Sequence, residues 1–158
     1  MQYTALPSDL WYWPDFADLT PEDRYYLLYL HLNPHVTVCG CYPLTRRLAA
    51  AESGYNDETS DKIITRLVEA GGWVELDVDT REILLLRWKE LNPGFFATNS
   101  KTYTSLVKHL EKIKSDRLCA IVLSWMSSGA PHKGDISPMH APSIPHASIT
   151  TTKQDTTI

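Results

Sequence analysis

Residues 45–72 read TRRLAAAESGYNDETSDKIITRLVEAGG, and residues 73–87 continue WVELDVDTREILLLR. The first stretch holds two helices joined by a tight turn. Thr45 or a neighbour starts a short helix over Arg46–Ser53, which Gly54 stops. Asn56 caps a longer helix over about Asp57–Ala70, stopped by Gly71-Gly72. On that longer helix Ser60, Ile63, Ile64, Leu67 and Val68 share one face. Glu58, Thr59, Lys62, Arg66 and Glu69 point the other way, with Thr65 at the border. Gly54-Tyr55-Asn56 has the length and chemistry of a helix-turn-helix connection. The second stretch alternates with period two in Trp73–Leu76 and in part of Ile83–Leu86. The turn-rich Asp77–Arg81 lies between them, so the stretch predicts a β-hairpin.

Upstream, Thr20-Pro21-Glu22-Asp23 is a strong helix start: a capping hydroxyl, a proline suited to the first turn, and two acids at the positive end of the helix dipole. The helix it opens, through Tyr25–Leu32, is apolar on nearly every side and belongs at the centre of a core; Asn33-Pro34 stops it. Before it, Leu10-Trp11-Tyr12-Trp13 is expected as a short extended segment ended by Pro14. Cys41-Tyr42-Pro43 suits a very short strand. Downstream, Asn92-Pro93-Gly94 breaks the chain. Tyr103, Leu106, Val107, Leu110 and Ile113 then form one apolar stripe, and Asp116–Met126 forms a last helix rich in apolar residues. Helix, strand, helix, helix, strand, strand is the order of a winged helix-turn-helix, although other small α+β folds share it. The expected fold is therefore α+β: a winged helix over residues 8–93, a helical extension of two helices over 94–128, and a disordered tail over 129–158. Seventeen of the last thirty residues are Pro, Ser, Thr, Gly or His and none is aromatic, too little apolar surface to offset chain entropy.

Composition narrows the function. The chain has 158 residues, with 15 Lys and Arg against 19 Asp and Glu, a net charge of −4. No apolar run approaches the ~18 residues of a membrane span, and Met1–Leu10 lacks the pattern of a secretory signal. Three cysteines, an odd number, argue against a disulfide scaffold, so a cytoplasmic protein is expected. The charge is uneven. Residues 1–95 carry a net −7, and residues 96–128 a net +3. No P-loop, dinucleotide fingerprint, HExxH or nucleophile elbow is present, so no enzyme activity is expected. His35, Cys39 and Cys41 are spaced H-x3-C-x-C, with His31 nearby. Structural zinc usually takes four ligands with cysteines two to four residues apart, so small buried thiols are the simpler reading. Neither metal nor cofactor is expected.

Leu27–Tyr42, reading LLYLHLNPHVTVCGCY, resembles the N-terminal domain of phage replisome organisers and the related N-terminal winged helix of the primosome protein DnaD. The shared features are a Leu- and Tyr-rich helix, an Asn-Pro-His loop and a Gly-x-Tyr strand. Glu69-Ala70-Gly71, the hairpin Trp73–Trp88, and Asn92-Pro93 leading to the lysine-rich Ser105–Lys114 follow in the same order. The opening Trp11–Asp15 is also similar. The resemblance covers about residues 9–127. It implies a host-cell cytoplasmic DNA-replication protein of phage type that binds origin DNA, self-associates as a homo-oligomer and organises a primosome without chemistry of its own. The family usually extends further, with a helicase-loading or DNA-remodelling segment that this sequence does not match.

On this reading the outward face of the third helix enters the major groove of double-stranded DNA. Lys62, Thr65 and Arg66 reach bases and phosphates, Asn56 and Thr59 lie near the helix start, and Arg46 and Arg47 touch the backbone. Arg81 at the hairpin tip enters a minor groove. Lys101, Lys108, Lys112 and Lys114 add charge from the fourth helix. Glu58, Asp61 and Glu69 oppose those cations, and the bland alternative is a solvated face of mixed charge. Trp11, Trp13, Leu118, Val122 and Trp125 are the candidate oligomer surface, because the last helix is apolar on more sides than one contact needs; completion of the chain's own core is the alternative. The tail is a candidate tether for a replicative helicase or its loader. Two other functions fit the same fold: a transcription regulator, and an adaptor that binds protein and never touches DNA.

Overall fold

A computed structural model describes residues 4–98 and 101–127 of the chain. The expected tail over 129–158 lies outside the described residues. Two short turns open the chain: a 3₁₀ turn over Ser8–Tyr12 and a four-residue helix α1 over Pro14–Ala17. The extended segment expected over Leu10–Trp13 is thus wound instead. Pro14 sits at the first helical position, where its missing N–H costs nothing, so it starts a helix rather than only ending an extended segment. Leu10 and Phe16 enter the core, while Trp11 and Tyr12 stay exposed.

Helix α2 covers Pro21–Leu32, and the Thr20 side chain accepts the Asp23 N–H at 3.1 Å. Tyr26, Leu27, Leu30 and His31 are buried, and Tyr25 and Leu32 are half exposed. Asn33 closes the helix end by donating its side-chain amide to the Leu30 and Tyr29 carbonyls. Strand β1 (Cys41–Pro43) precedes helix α3 (Arg46–Ser53) and helix α4 (Asp57–Ala70). Gly54 ends α3 at φ +83, a left-handed position natural to glycine, and Asn56 accepts the Thr59 N–H at 2.8 Å. Ser60, Ile63, Ile64 and Leu67 are the buried side of α4, as the sequence periodicity requires.

Strands β2 (Val74–Asp77) and β3 (Glu82–Leu85) complete an antiparallel sheet of order β1-β3-β2. Central β3 is covered on both faces: Glu82, Ile83, Leu84 and Leu85 are all buried. That explains why its sequence reads as an apolar run rather than a clean alternation. A four-residue helix α5 (Trp88–Leu91), not foreseen in the sequence, and a 3₁₀ turn over Pro93–Phe96 lead to helices α6 (Lys101–Leu110) and α7 (Asp116–Ser127).

One buried cluster runs from Phe16 through Tyr26, Leu30, Tyr42, Ile63, Trp73, Leu84 and Trp88 to Leu106, Leu118 and Val122. Leu118 and Val122, expected on an oligomer surface, are fully buried within the chain's own core and present nothing to a second copy. Trp13 stacks on Trp73 with centroids 6.4 Å apart, and Trp125 packs edge-on against Phe96. Of the five candidate interface residues, Trp11 is the one that remains more than half exposed. No helix among the described residues is long and apolar enough to cross a membrane.

Candidate nucleic-acid interface

The outward side of α4 forms an open cleft of about 450 Å³, lined by Arg46, Glu58, Asp61, Lys62, Thr65 and Arg66. Three of the cations proposed from sequence meet here, and each is already paired. Arg46 lies 2.7 Å from Asp61, one helix over. Lys62 lies 2.7 Å from Glu58, one turn earlier on α4, and holds that carboxyl below its usual range. Arg66 reaches across to α2, donating to Asp23 at 2.5 Å and to Glu22 at 2.6 Å; those bonds push its already high pKa further up.

These pairs differ in strength. Lys62–Glu58 and Arg46–Asp61 are exposed, and such pairs contribute about 0–1 kcal/mol. Opening either pair therefore costs little. Arg66 is different. Its main partner, Asp23, is buried, so removing the guanidinium strands a carboxylate inside the protein. Arg66, expected to reach DNA, is therefore first a clamp between α4 and α2. The two uncharged polar candidates are also partly engaged. Asn56 is committed to its cap, and the Thr65 hydroxyl donates to the Asp61 carbonyl at 2.8 Å. Thr59 is half buried beside them.

The remaining cations lie elsewhere. Arg47, in the first turn of α3, is exposed and makes no ion pair among the described residues. Arg81 sits at the hairpin tip, exposed, with φ +56, the left-handed region that residues bearing a Cβ rarely adopt. Lys101, Lys108, Lys112 and Lys114 stand away from the α4 cleft, and Lys101, Lys108 and Lys112 among them lie open along α6 and the bend after it. The structure thus divides the sequence-derived cations in two: a paired group lining the α4 cleft, from α3 and α4, and a group near the hairpin and along α6 with no ion pair among the described residues.

Several contacts that hold this arrangement had no sequence signal. The Glu82 carboxylate accepts the backbone N–H of Lys114 (3.0 Å) and of Ser115 (2.8 Å). The Ser115 hydroxyl donates to Asp77 at 2.5 Å and accepts the Leu118 N–H, capping α7; the Asp77 carboxyl is held below its usual range, first by that Ser115 bond. Arg117 pairs with Glu75 at 2.5 Å and donates to the Leu76 carbonyl. The hairpin is therefore tied down along β2 by the start of α7. On the other side Arg87 lies over Trp73 at 4.5 Å and Trp13 at 5.2 Å and pairs with Asp15, fixing the N-terminal turns to the sheet.

Among the described residues no three His, Cys, Asp or Glu side chains converge to hold a metal ion. His35 bonds Glu52 at 2.8 Å, and Glu52 also accepts the Tyr29 hydroxyl. Cys39 and Cys41 are buried thiols whose pKa values are raised, chiefly by burial.

The chain matches no protein-family model, no curated protein and no solved structure.

Proposed function

We propose that residues 8–93 are a winged helix-turn-helix that binds double-stranded DNA and performs no chemistry of its own. The observation that carries this reading is topological. The elements run helix, strand, helix, helix, strand, strand, and the strands pair as β1-β3-β2, all antiparallel. A three-residue turn joins α3 to α4, and the outward face of α4 lies open to solvent. A helix so exposed, with a hairpin beside it, has the dimensions to enter a major groove. The exposed ion pairs on α4 exchange for phosphates at small cost, with counterion release as the gain. The resemblance to phage replisome organisers makes origin binding and primosome organisation the specific role proposed. Self-association, with Trp11 as the surviving candidate contact, belongs to the same proposal, as does a helicase or loader partner for the tail.

Titration of a fluorescent duplex of about 30 base pairs with the full chain tests this. Binding at low salt is expected, and Lys62→Glu is expected to weaken it without lowering the melting temperature. One observation favours a second reading: the carboxylates on the α4 face match or outnumber its cations. A protein-binding adaptor would fail to shift the duplex even at low salt.

A further inference from the structure

We propose that the phosphate backbone is gripped chiefly by the hairpin end of the molecule, built from Arg47, Arg81, Lys112 and Lys114, with the already paired cations of the α4 face making the smaller share of the charge contacts. This rests on the DNA-binding reading above and assigns where the charge contacts are made.

Three separate segments converge at that end. Leu44, just before α3, donates its N–H to the Arg81 carbonyl at 2.9 Å, which sets the first turn of α3 and Arg47 beside the hairpin tip. Glu82, the next residue after Arg81, takes the Lys114 N–H, which brings the bend between α6 and α7 to the same place. Lys112 lies two residues earlier in that bend, and Lys108 and Lys101 continue along exposed α6.

The cations here differ from those on α4 in being uncommitted. None of the four makes an ion pair among the described residues. Two of the nearby acids are occupied: Glu82 is buried under backbone N–H groups, and Asp77 accepts Ser115 and the Asp79 and Thr80 N–H groups. Asp79, Glu111 and Asp116 remain exposed and oppose the patch, so it suits a partner whose negative charges are spaced and repeated, as phosphates are, rather than a single anion. Arg81 supplies a second, independent observation. It holds a left-handed backbone position that glycine would fill without strain, yet its side chain makes no ion pair among the described residues that would offset the conformation. A cation held at an exposed tip is well placed to reach a phosphate.

Duplex affinity across salt, with melting temperature measured alongside, is compared for three proteins: the wild type, Arg81→Gly/Lys112→Gln/Lys114→Gln, and Lys62→Glu. The triple variant is expected to keep or raise its melting temperature, since glycine relieves the strained position. Its dependence of log affinity on log salt should flatten by roughly three, one for each phosphate no longer engaged. Arg81→Lys, which keeps the charge, should bind nearly as the wild type does. If the triple variant binds with unchanged affinity and slope while Lys62→Glu abolishes binding, the hairpin end is not the grip, and the DNA-binding reading stands without it. If the wild type shows no duplex binding at low salt, both readings fall.

Discussion

Gly40 and His31 show how tightly single positions are set. Gly40 holds φ +72, and a Cβ there would lie 2.3 Å from the Trp88 ring, itself fully buried and donating its indole N–H to the Val38 carbonyl. A Cβ forces this packed and bonded ring or the backbone to shift, so Gly40→Ala should cost about 2–4 kcal/mol in chemical denaturation. His31 is buried against Trp88, bonded through Nδ1 to the Leu27 carbonyl, with Nε2 unpartnered among the described residues. Burial lowers its pKa to about 4, whereas an unfolded histidine titrates near 6.5. As pH falls, the unfolded chain takes up that proton first. The stability from neutral His31 is therefore complete above about pH 6.5 and is lost between 6.5 and 4, by about 3 kcal/mol in all. His31→Leu should remove most of that loss when unfolding free energy is compared at about pH 7 and about pH 4.5, either side of the ordinary histidine value; an unchanged pH dependence would contradict the assignment.

Helices α3 and α4 and the hairpin are legible in the sequence because their signals are local. Thr45 and Asn56 cap within three residues, Gly54 stops within one turn, and the Ile63–Leu67 face follows a period of 3.6. Asn56→Ala should accordingly cost about 1 kcal/mol. The N-terminal segment is harder to read, because its aromatic content suggests a short extended segment while Pro14 in fact opens a helix. The straps are invisible for a different reason. Arg66 finds Asp23 from 43 positions away, and Glu82 finds Ser115 from 33; no periodicity encodes such pairs. In the sequence Glu82 is only one acid beside a turn-rich region, yet in the fold it joins β3 to the start of α7. Glu82→Ala strands two backbone N–H groups and should cost about 2–3 kcal/mol. Loss of protection from hydrogen exchange should begin at the first turn of α7. A protection pattern unchanged there would show that the helix docks through its apolar face alone.

The molecule as a whole divides its basic groups into those held in ion pairs and those left without one among the described residues. The net −7 of residues 1–95 and the net +3 of residues 96–128 show only part of this division, since Arg47 and Arg81 belong to the acidic stretch and charge counts leave open which cations are available. The fold answers that by pairing Arg46 of α3 and Lys62 and Arg66 of α4, and leaving Arg47, Arg81 and the lysines of α6 and the bend after it without an ion pair among the described residues. The oligomer surface read from α7 is the least legible feature. A helix apolar on many sides is equally well explained by a second neighbour within the chain, and Leu118 and Val122 take that course. The central claim is that this small α+β protein binds duplex DNA through the α4 side and the hairpin end. A two-dimensional ¹⁵N NMR titration of the full chain with a duplex tests it most directly. Salt-sensitive shift changes should gather on Arg47, Lys62, Arg81, Lys112 and Lys114, with Trp11 and the exposed side of α7 unmoved. An absence of changes at low salt, or changes confined to Trp11, Tyr12 and Leu123, would contradict the claim.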